Sequence, residues 1–425
     1  MLDIKFIRDN LDRVRKAAKD KRSAVDLDRL LSCDDERRHL LVAVETRRAE
    51  KKRLSKEIPR LQGDEKRRLL EQLQASSEAE KADEERLTQI VAEFDHLMLL
   101  VPNVLDEDVP FGHDDQDNVE VSRWGLPPSF SFQPRDHVEL GQLLDILDIE
   151  RGVKLSGSRF YFLKNEGVLL EMALLRLALD LLMRKGFIPF IPPYLVKREA
   201  MEGTGYFPGG EEQAYAIEKD GLYLIGTSEV PLAAYHYDEI LDEKDLPRLY
   251  AGVSPCFRRE AGTYGKDTRG IYRIHQFQKV EQVVLCANDV AESERLHRFL
   301  LANAEELLQS LGMPYRVVNV CTGDLGQGQL KKFDIETYMP SRGGYGETHS
   351  CSKFHEFQAR RCKIRYRDGN GGTRFVHTLN NTIIASPRIL IPLLELNQRE
   401  DGSVSVPEIL RPYLDGRSVL EPRRK

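Results

Sequence analysis

PCFRREAGTYGKDTRGIYRIHQFQKVEQVVL, residues 255–285, holds two runs of alternating charge around a loop rich in Gly, Thr and Asp. Side chains on a strand alternate faces with period two. Arg258 and Glu260 therefore share a face of the first run, and Arg273, His275, Phe277, Lys279 and Glu281 share one of the second. Folded as an antiparallel hairpin, the two faces coincide and offer cations, carboxylates and an aromatic ring together. Such a surface suits a ligand with phosphates, a planar base and an amine or hydroxyl. An ordinary solvated hairpin with internal salt bridges has the same composition, and the run alone does not separate the two. Neither a P-loop nor a G-x-G-x-x-G accompanies it, so the two commonest nucleotide cradles are absent.

A second stretch, HTLNNTIIASPRILIPLLELNQ (377–398), puts small polar residues before a helix expected from Ser386 to about Asn397. Pro387 suits a first helical turn, and Arg388 follows it as a permanent cation. Between 222 and 367 lie short β-branched runs such as LYLIGTSEV, YRVVNVC, KKFDIETYMP and GETHSCSKFHEFQARRCKIRYR. They read as strands of a mostly antiparallel sheet. A long helix from about Gly167 to Lys185 leads into FIPFIPPYLV. The layout is α+β, a central sheet with helices around it.

The first hundred residues differ. From Asp34 to about Leu100 there is one Gly and one Pro (Gly63 and Pro59). Leu41, Val44, Leu54, Ile58 and Leu61, then Leu69, Leu73, Leu87, Ile90, Phe94 and Leu97, recur at steps compatible with three and four, with gaps in the seam near Arg47–Arg53 and Ser76–Asp83. Two helices of about 35 residues, turning at Gln62-Gly63-Asp64, form an antiparallel coiled-coil arm on this reading. Arg47, Arg48, Lys51, Lys52, Arg53, Lys56 and Arg60 crowd the first helix. They read either as a solvated face balanced by Glu45, Glu50 and Glu57, or as a local field for phosphate backbones. Pro102, Pro110 and Gly112 break the pattern, so an N-terminal domain over 1–105 and a second domain over 106–425 are expected.

Composition excludes several classes. The chain has 425 residues and a formal charge of −6, which does not announce a nucleic-acid binder, though local asymmetry remains open. The charged start, MLDIKFIRDN, lacks the apolar core of a secretory signal. Glu171, Arg176 and Asp180 interrupt the most apolar segment, which argues against a membrane span. The six cysteines (33, 256, 286, 321, 351 and 362) contain no C-x-x-C pair. Neither a structural zinc site nor a disulfide framework is indicated, and a cytoplasmic setting is expected.

Taken together, these stretches resemble a known class. R-x-E, a loop and F-x-K-V-E match the second signature motif of class II aminoacyl-tRNA synthetases. The small residues before Arg388 match the third, and Pro193 within FIPFIPPYLV fits the first, which in that class forms the dimer interface. LSGSRFYFL (155–163), GTSEVPL (226–232), CTGDLG (321–326), SCSKFHEFQARR (350–361) and DGSVSVPEILRPYL (401–414) are similar to the bacterial seryl-tRNA synthetase family. The resemblance implies an antiparallel class II sheet core flanked by helices behind a coiled-coil arm. It implies L-serine, ATP with Mg²⁺, the serine tRNA and the selenocysteine tRNA as partners, and a homodimer.

It also implies roles. Arg258 and Arg388 would be catalytic, on the α- and γ-phosphates. Arg258, Arg259, Glu260, Ile274, Phe277, Glu347, Thr348, His349, Ser350 and Arg388 fall in the ATP-binding segments. Within that set Glu260 would accept from the adenine amine and Phe277 would stack on the ring. Arg259 has the opposite parity to Arg258, which turns it towards the surface or the tRNA. Glu347 and Ser350 would hold Mg²⁺. Thr227, Ser228, Glu229, Arg258, Glu281, Asn380 and Thr382 would read serine, with Glu281 and Thr382 on its hydroxyl. The cluster from Arg47 to Arg60 would meet tRNA. Arg269 and Lys279 are left to the loop, the fold or the incoming tRNA end.

Two departures are visible. Asn380-Asn381-Thr382-Ile383 stands where many members have Asn-Gly-Ser-Gly, and Thr keeps the hydroxyl. Ser350-Cys351-Ser352-Lys353-Phe354 stands where many have Ser-Cys-Ser-Asn-Cys. The rival readings are an amino-acid-activating paralogue that serves a carrier protein, and a non-catalytic RNA-binding or coiled-coil scaffold.

Overall fold

The structure, a computed structural model, describes residues 1–423 apart from 264, 266 and 268. The chain divides into two compact units, Leu2–Pro102 and Asn103–Lys425, the second also including Met1.

In the first unit, helix α1 (Leu27–Ser55) and helix α2 (Gly63–Leu100) lie antiparallel. Their cross-helix ion pairs run in opposite senses along the chain: Arg29–Glu93 at 2.5 Å, Arg47–Asp83 at 2.8 Å and Lys51–Glu80 at 3.1 Å. Leu54, Leu69 and Leu73 form a small buried cluster near the turn, with Ile58 and Leu61 packed on it. The helices differ in length from the expected pair, 29 and 38 residues. Asp26 caps α1 through its side chain, which starts that helix seven residues before Asp34. The turn falls at 56–62, around Pro59, and Gly63 opens α2. Leu41, expected on the seam, is exposed.

The second unit is built on an eight-stranded sheet. Its strands in chain order are β1 (Val119–Trp124), β2 (Ile188–Phe190), β3 (Arg248–Phe257), β4 (Gln276–Cys286), β5 (Tyr315–Asn319), β6 (Lys331–Met339), β7 (Gly344–His355) and β8 (His377–Ala385). The spatial order is β1-β5-β6-β7-β8-β4-β3-β2. Every pair is antiparallel except β2 with β3. Helices α3 (Glu166–Arg184), α4 (Val290–Ser310) and α5 (Ser386–Leu396) contribute to the main core, which includes Leu174, Leu177, Leu300, Leu307, Ile384 and Leu390. The α+β layout read from the sequence is the observed one.

Close approach shapes the centre of the sheet. A Cβ on Gly252 of β3 would lie 2.6 Å from both Leu232 Cδ1 and Ser228 Oγ, so only glycine lets the 227–233 segment seat there. Several histidines are packed as core. His297 of α4 stacks on Phe333 at 5.2 Å and reaches Cys351 O at 3.0 Å. His355 and His377 stack on each other at 4.4 Å.

Candidate active site

The β4–β8 pairing decides the floor of the site. Glu281 lies opposite Thr382, and on the other edge of β8, Asn380 pairs with Ser352 of β7. Alternation along β4 then turns Phe277, Lys279 and Glu281 to one face. That face lines a cavity of ≈ 240 Å³ that also takes in Tyr206, Glu229, Arg258, Glu260, Ile274, Glu347 and Arg388. The end of the opening stretch differs from a simple hairpin. The β3–β4 ladder stops at Phe257 and Gln276, so Arg258, Glu260, Arg273 and His275 lie beyond it. The parity argument therefore reaches the right surface for Arg258 and Glu260 but fails for His275. The His275 ring packs on Phe160 at 5.1 Å, and its Nδ1 lies 2.9 Å from Arg258 O.

At one end of the cavity, Arg258 donates from Nε to Gly226 O at 3.2 Å and sits 5.4 Å from the Phe277 ring centroid. Glu260 adopts φ +51° and receives Arg273 Nη1 on Oε2 at 2.7 Å. At another end, Arg388 donates through Nη1 to Glu347 O and Oε2, both at 3.1 Å, and lies 4.7 Å from the Tyr272 ring centroid. Partial burial penalises the Glu347 charge, but the Arg388 guanidinium and the Lys332 ammonium outweigh that and hold its carboxyl well below the usual range. Next along the β6–β7 ladder, Asp334 is paired in register with Ser350. Burial pushes the Asp334 carboxyl up, against the pull of Lys332 at 3.1 Å, and its Oδ1 has no hydrogen-bond partner among the described residues.

The third region is small and polar. Lys279 is 5% exposed, Glu281 2% and Thr382 6%. Lys279 forms an ion pair with Glu281 and lies 3.4 Å from Thr382 Oγ1, which in turn donates to Glu281 Oε2 at 3.3 Å. Glu229 receives Gln358 Nε2 on Oε1 at 2.8 Å and the Tyr206 hydroxyl on Oε2 at 3.1 Å. Burial and the nearby Glu281 push its carboxyl up to about 7. Burial lowers His349 to about 4, with Nε2 3.2 Å from Ile383 O and Nδ1 2.8 Å from Thr348 Oγ1.

Comparison with known proteins identifies the arrangement. The seryl-tRNA synthetase N-terminal domain matches residues 1–105, and the tRNA synthetase class II core domain (G, H, P, S and T) matches 215–397. The serine–tRNA ligase of Deinococcus radiodurans is 48% identical over 99% of both chains, and that of Thermobifida fusca 47% over 100% of both. The chain belongs to the seryl-tRNA synthetase family. The crystal structure of seryl-tRNA synthetase from Pyrococcus horikoshii complexed with ATP superposes with a TM-score of 0.92, at 42% identity over 100% of both chains. The class II sheet core and the helical N-terminal domain expected from the motifs are those of this seryl-tRNA synthetase family.

Several expected site residues stand elsewhere. Arg259 is exposed and outside the cavity, because its backbone is turned to Gln213 O and its side chain points to solvent. Thr227 and Ser228 are buried without lining the cavity. Thr227 Oγ1 accepts from Glu229 N at 3.2 Å, and Ser228 Oγ donates to Gly252 O at 3.3 Å; both shape the segment that presents Glu229. Lys279, left to the loop, the fold or the tRNA end by the sequence reading, is buried and lines the cavity. Tyr206, Gln358, Tyr272 and Asp334 were not singled out. For Asp334 a signal existed, since Lys332, Asp334 and Glu336 alternate along KKFDIETYMP.

Within the arm, Arg47, Arg48 and Lys51 reach across to Asp83, Glu84 and Glu80, and Arg53 pairs with Glu50 of its own helix and Glu57 of the turn. Among the described residues, Lys52, Lys56 and Arg60 have no acidic partner, and all three are exposed.

Proposed function

We propose that this chain is a serine–tRNA ligase that forms seryl-adenylate from L-serine and ATP and passes the seryl group to the 3′ end of the serine tRNA, and also of the selenocysteine tRNA. The observation that carries it is one cavity lined by Arg258, Glu260, Phe277, Glu281, Glu347, Thr382 and Arg388. In the first step a serine carboxylate oxygen attacks the α-phosphorus, and the bond to the bridging oxygen breaks to release pyrophosphate. No protein nucleophile is required; catalysis is positioning and charge stabilisation. Arg258, beside Phe277, can bridge the carboxylate and the α-phosphate while the ring carries adenine and Glu260 accepts from its amine. Ile274 lines the cavity beside the base. Arg388 meets the γ-phosphate, replacing part of its present pairing with Glu347.

The donor set suits Mg²⁺, which favours oxygen ligands and keeps substrate phosphates and waters in its shell. Glu347 is held ionised and Ser350 supplies a hydroxyl, while the orphaned Oδ1 of buried Asp334 is a ready acceptor for a metal-bound water. Bound there, the ion would neutralise phosphate charge. Glu229 faces the serine ammonium. Glu281, Thr382 and Lys279 close around the hydroxyl, with Asn380 beside them. Thr348 and His349 pack the wall behind the nucleotide.

The homodimer is supported by an apolar edge: Ile188 and Ile191, in and just after edge strand β2, are 47% and 78% exposed. The tRNA surface is assigned to the arm cluster, with Lys52, Lys56 and Arg60 as its uncompensated members. Among the described residues no helix is long and apolar enough to cross a membrane; a cytoplasmic location is part of the proposal. Serine-dependent exchange of pyrophosphate into ATP tests the reading. Wild type is expected to exchange with serine alone among the twenty amino acids, and Arg258→Ala to lose at least about 10²-fold in rate. No exchange by wild type refutes the activation step. Seryl transfer to a carrier protein in place of tRNA favours the paralogue.

A further inference from the structure

The loop that carries Glu260 is held from outside the cavity. Beyond Phe257 the chain leaves the β3–β4 ladder, and after Arg258 N donates to His275 O at 2.9 Å it has no strand partner. Gln213 takes that place. Its carbonyl accepts from Arg259 N at 3.0 Å, its Oε1 accepts from Ala261 N at 3.1 Å, and its Nε2 donates to Ala261 O at 2.9 Å. One amide side chain thus mimics a strand edge, and the donor and acceptor on Ala261 fix which way the amide faces. On the other side Arg159 donates to Glu260 O at 3.3 Å, to Thr263 Oγ1 at 2.8 Å and to Thr263 O at 2.7 Å. Between the two clamps Glu260 is held at φ +51°, a left-handed conformation that residues other than glycine disfavour. Unclamped, the backbone would relax and swing the carboxylate away. Arg273 occupies Oε2 of that carboxylate, which leaves Oε1 to face a ligand.

We propose that Gln213 and Arg159 are positioning residues for nucleotide selection: they hold Glu260 where its carboxylate can accept from the exocyclic amine of adenine. This rests on the ATP reading above. Gln213 is exposed, so its loss should leave the core intact. The test compares ATP with purine riboside triphosphate, which lacks the 6-amino group, in serine-dependent exchange. For Gln213→Ala, KM for ATP is expected to rise about tenfold, a loss of about 1.4 kcal/mol, as the two side-chain hydrogen bonds to Ala261 disappear. KM for the desamino nucleotide should stay within about twofold, because Glu260 has no hydrogen-bond donor there to accept from. The near-isosteric Gln213→Glu, which cannot donate to Ala261 O, should behave likewise, and Arg159→Lys should give an intermediate loss of preference. An unchanged ratio between the two nucleotides in all three variants, with wild type preferring ATP, overturns the proposal. So does equal weakening of both nucleotides, the mark of a merely structural role. Absence of any wild-type exchange would instead strike the underlying activation reading, and is seen without the variants.

Discussion

The Glu229 carboxyl has to be charged to meet an ammonium group, yet burial and Glu281 raise it to about 7. Between pH 8 and 6 the free protein therefore passes from a carboxylate to a protonated acid at this position. KM for serine is expected to rise as pH falls through 7, in a steady-state profile of the exchange reaction, while KM for ATP stays nearly level. Glu229→Gln should remove the pH dependence and raise KM at every pH. A flat serine profile in wild type would refute the role. Thr382 makes the sharper residue-scale claim. Its hydroxyl, Glu281 and Lys279 already bond to one another, so a ligand that enters must replace those bonds. Serine can, and alanine leaves them unpaired. Thr382→Ala should lower the serine-over-alanine preference in kcat/KM by about 10–100-fold, measured by exchange with each amino acid.

At the scale of elements, the arm separates two kinds of cation. Arg47, Arg48 and Lys51, in the last third of α1, are neutralised across the coiled coil, whereas Lys52, Lys56 and Arg60 have no acidic partner among the described residues. The triple change Lys52→Glu, Lys56→Glu, Arg60→Glu should raise KM for tRNA and flatten its salt dependence, leaving serine-dependent exchange unaltered. Equal loss in both assays would point to misfolding instead. The arm also shows what the sequence could convey. Its periodicity and its lack of Gly and Pro announced two helices, but Leu41 turned outward and the turn moved to Pro59. A heptad-like pattern identifies a seam without saying where the crossing helix covers it. In the opening stretch, alternation placed Phe277 and Glu281 correctly because β4 is a regular strand there. It misplaced His275 because the ladder ends at Gln276, and ladder ends depend on partners such as Gln213 that lie far away in sequence. Lys279 was undervalued for a similar reason. A lysine reads as a solvated charge unless the carboxylate it is buried against, here Glu281, is known.

For the whole molecule, β2 leaves an apolar sheet edge bearing Ile188, with Ile191 just beyond it, and exposed edges of this kind invite pairing. The proposed homodimer predicts that wild type sediments as a dimer and Ile191→Asp as a monomer with depressed exchange. An unchanged sedimentation coefficient would place the interface elsewhere. The core histidines carry a different consequence. Burial lowers His297 and His355 to about 4 and His377 to about 3, against roughly 6.5 in an unfolded chain. Above pH 6.5 neither state holds these protons, and the three residues contribute nothing to pH dependence. Between 6.5 and 4 the unfolded chain binds protons on these three that the folded chain refuses, so their contribution to stability falls as pH falls, by at most about 4 kcal/mol per pH unit. Relative to wild type, His297→Gln should therefore show a thermal midpoint that falls less between pH 6.5 and 4. Three rings whose visible task is to fill space would thereby weaken the fold in acid.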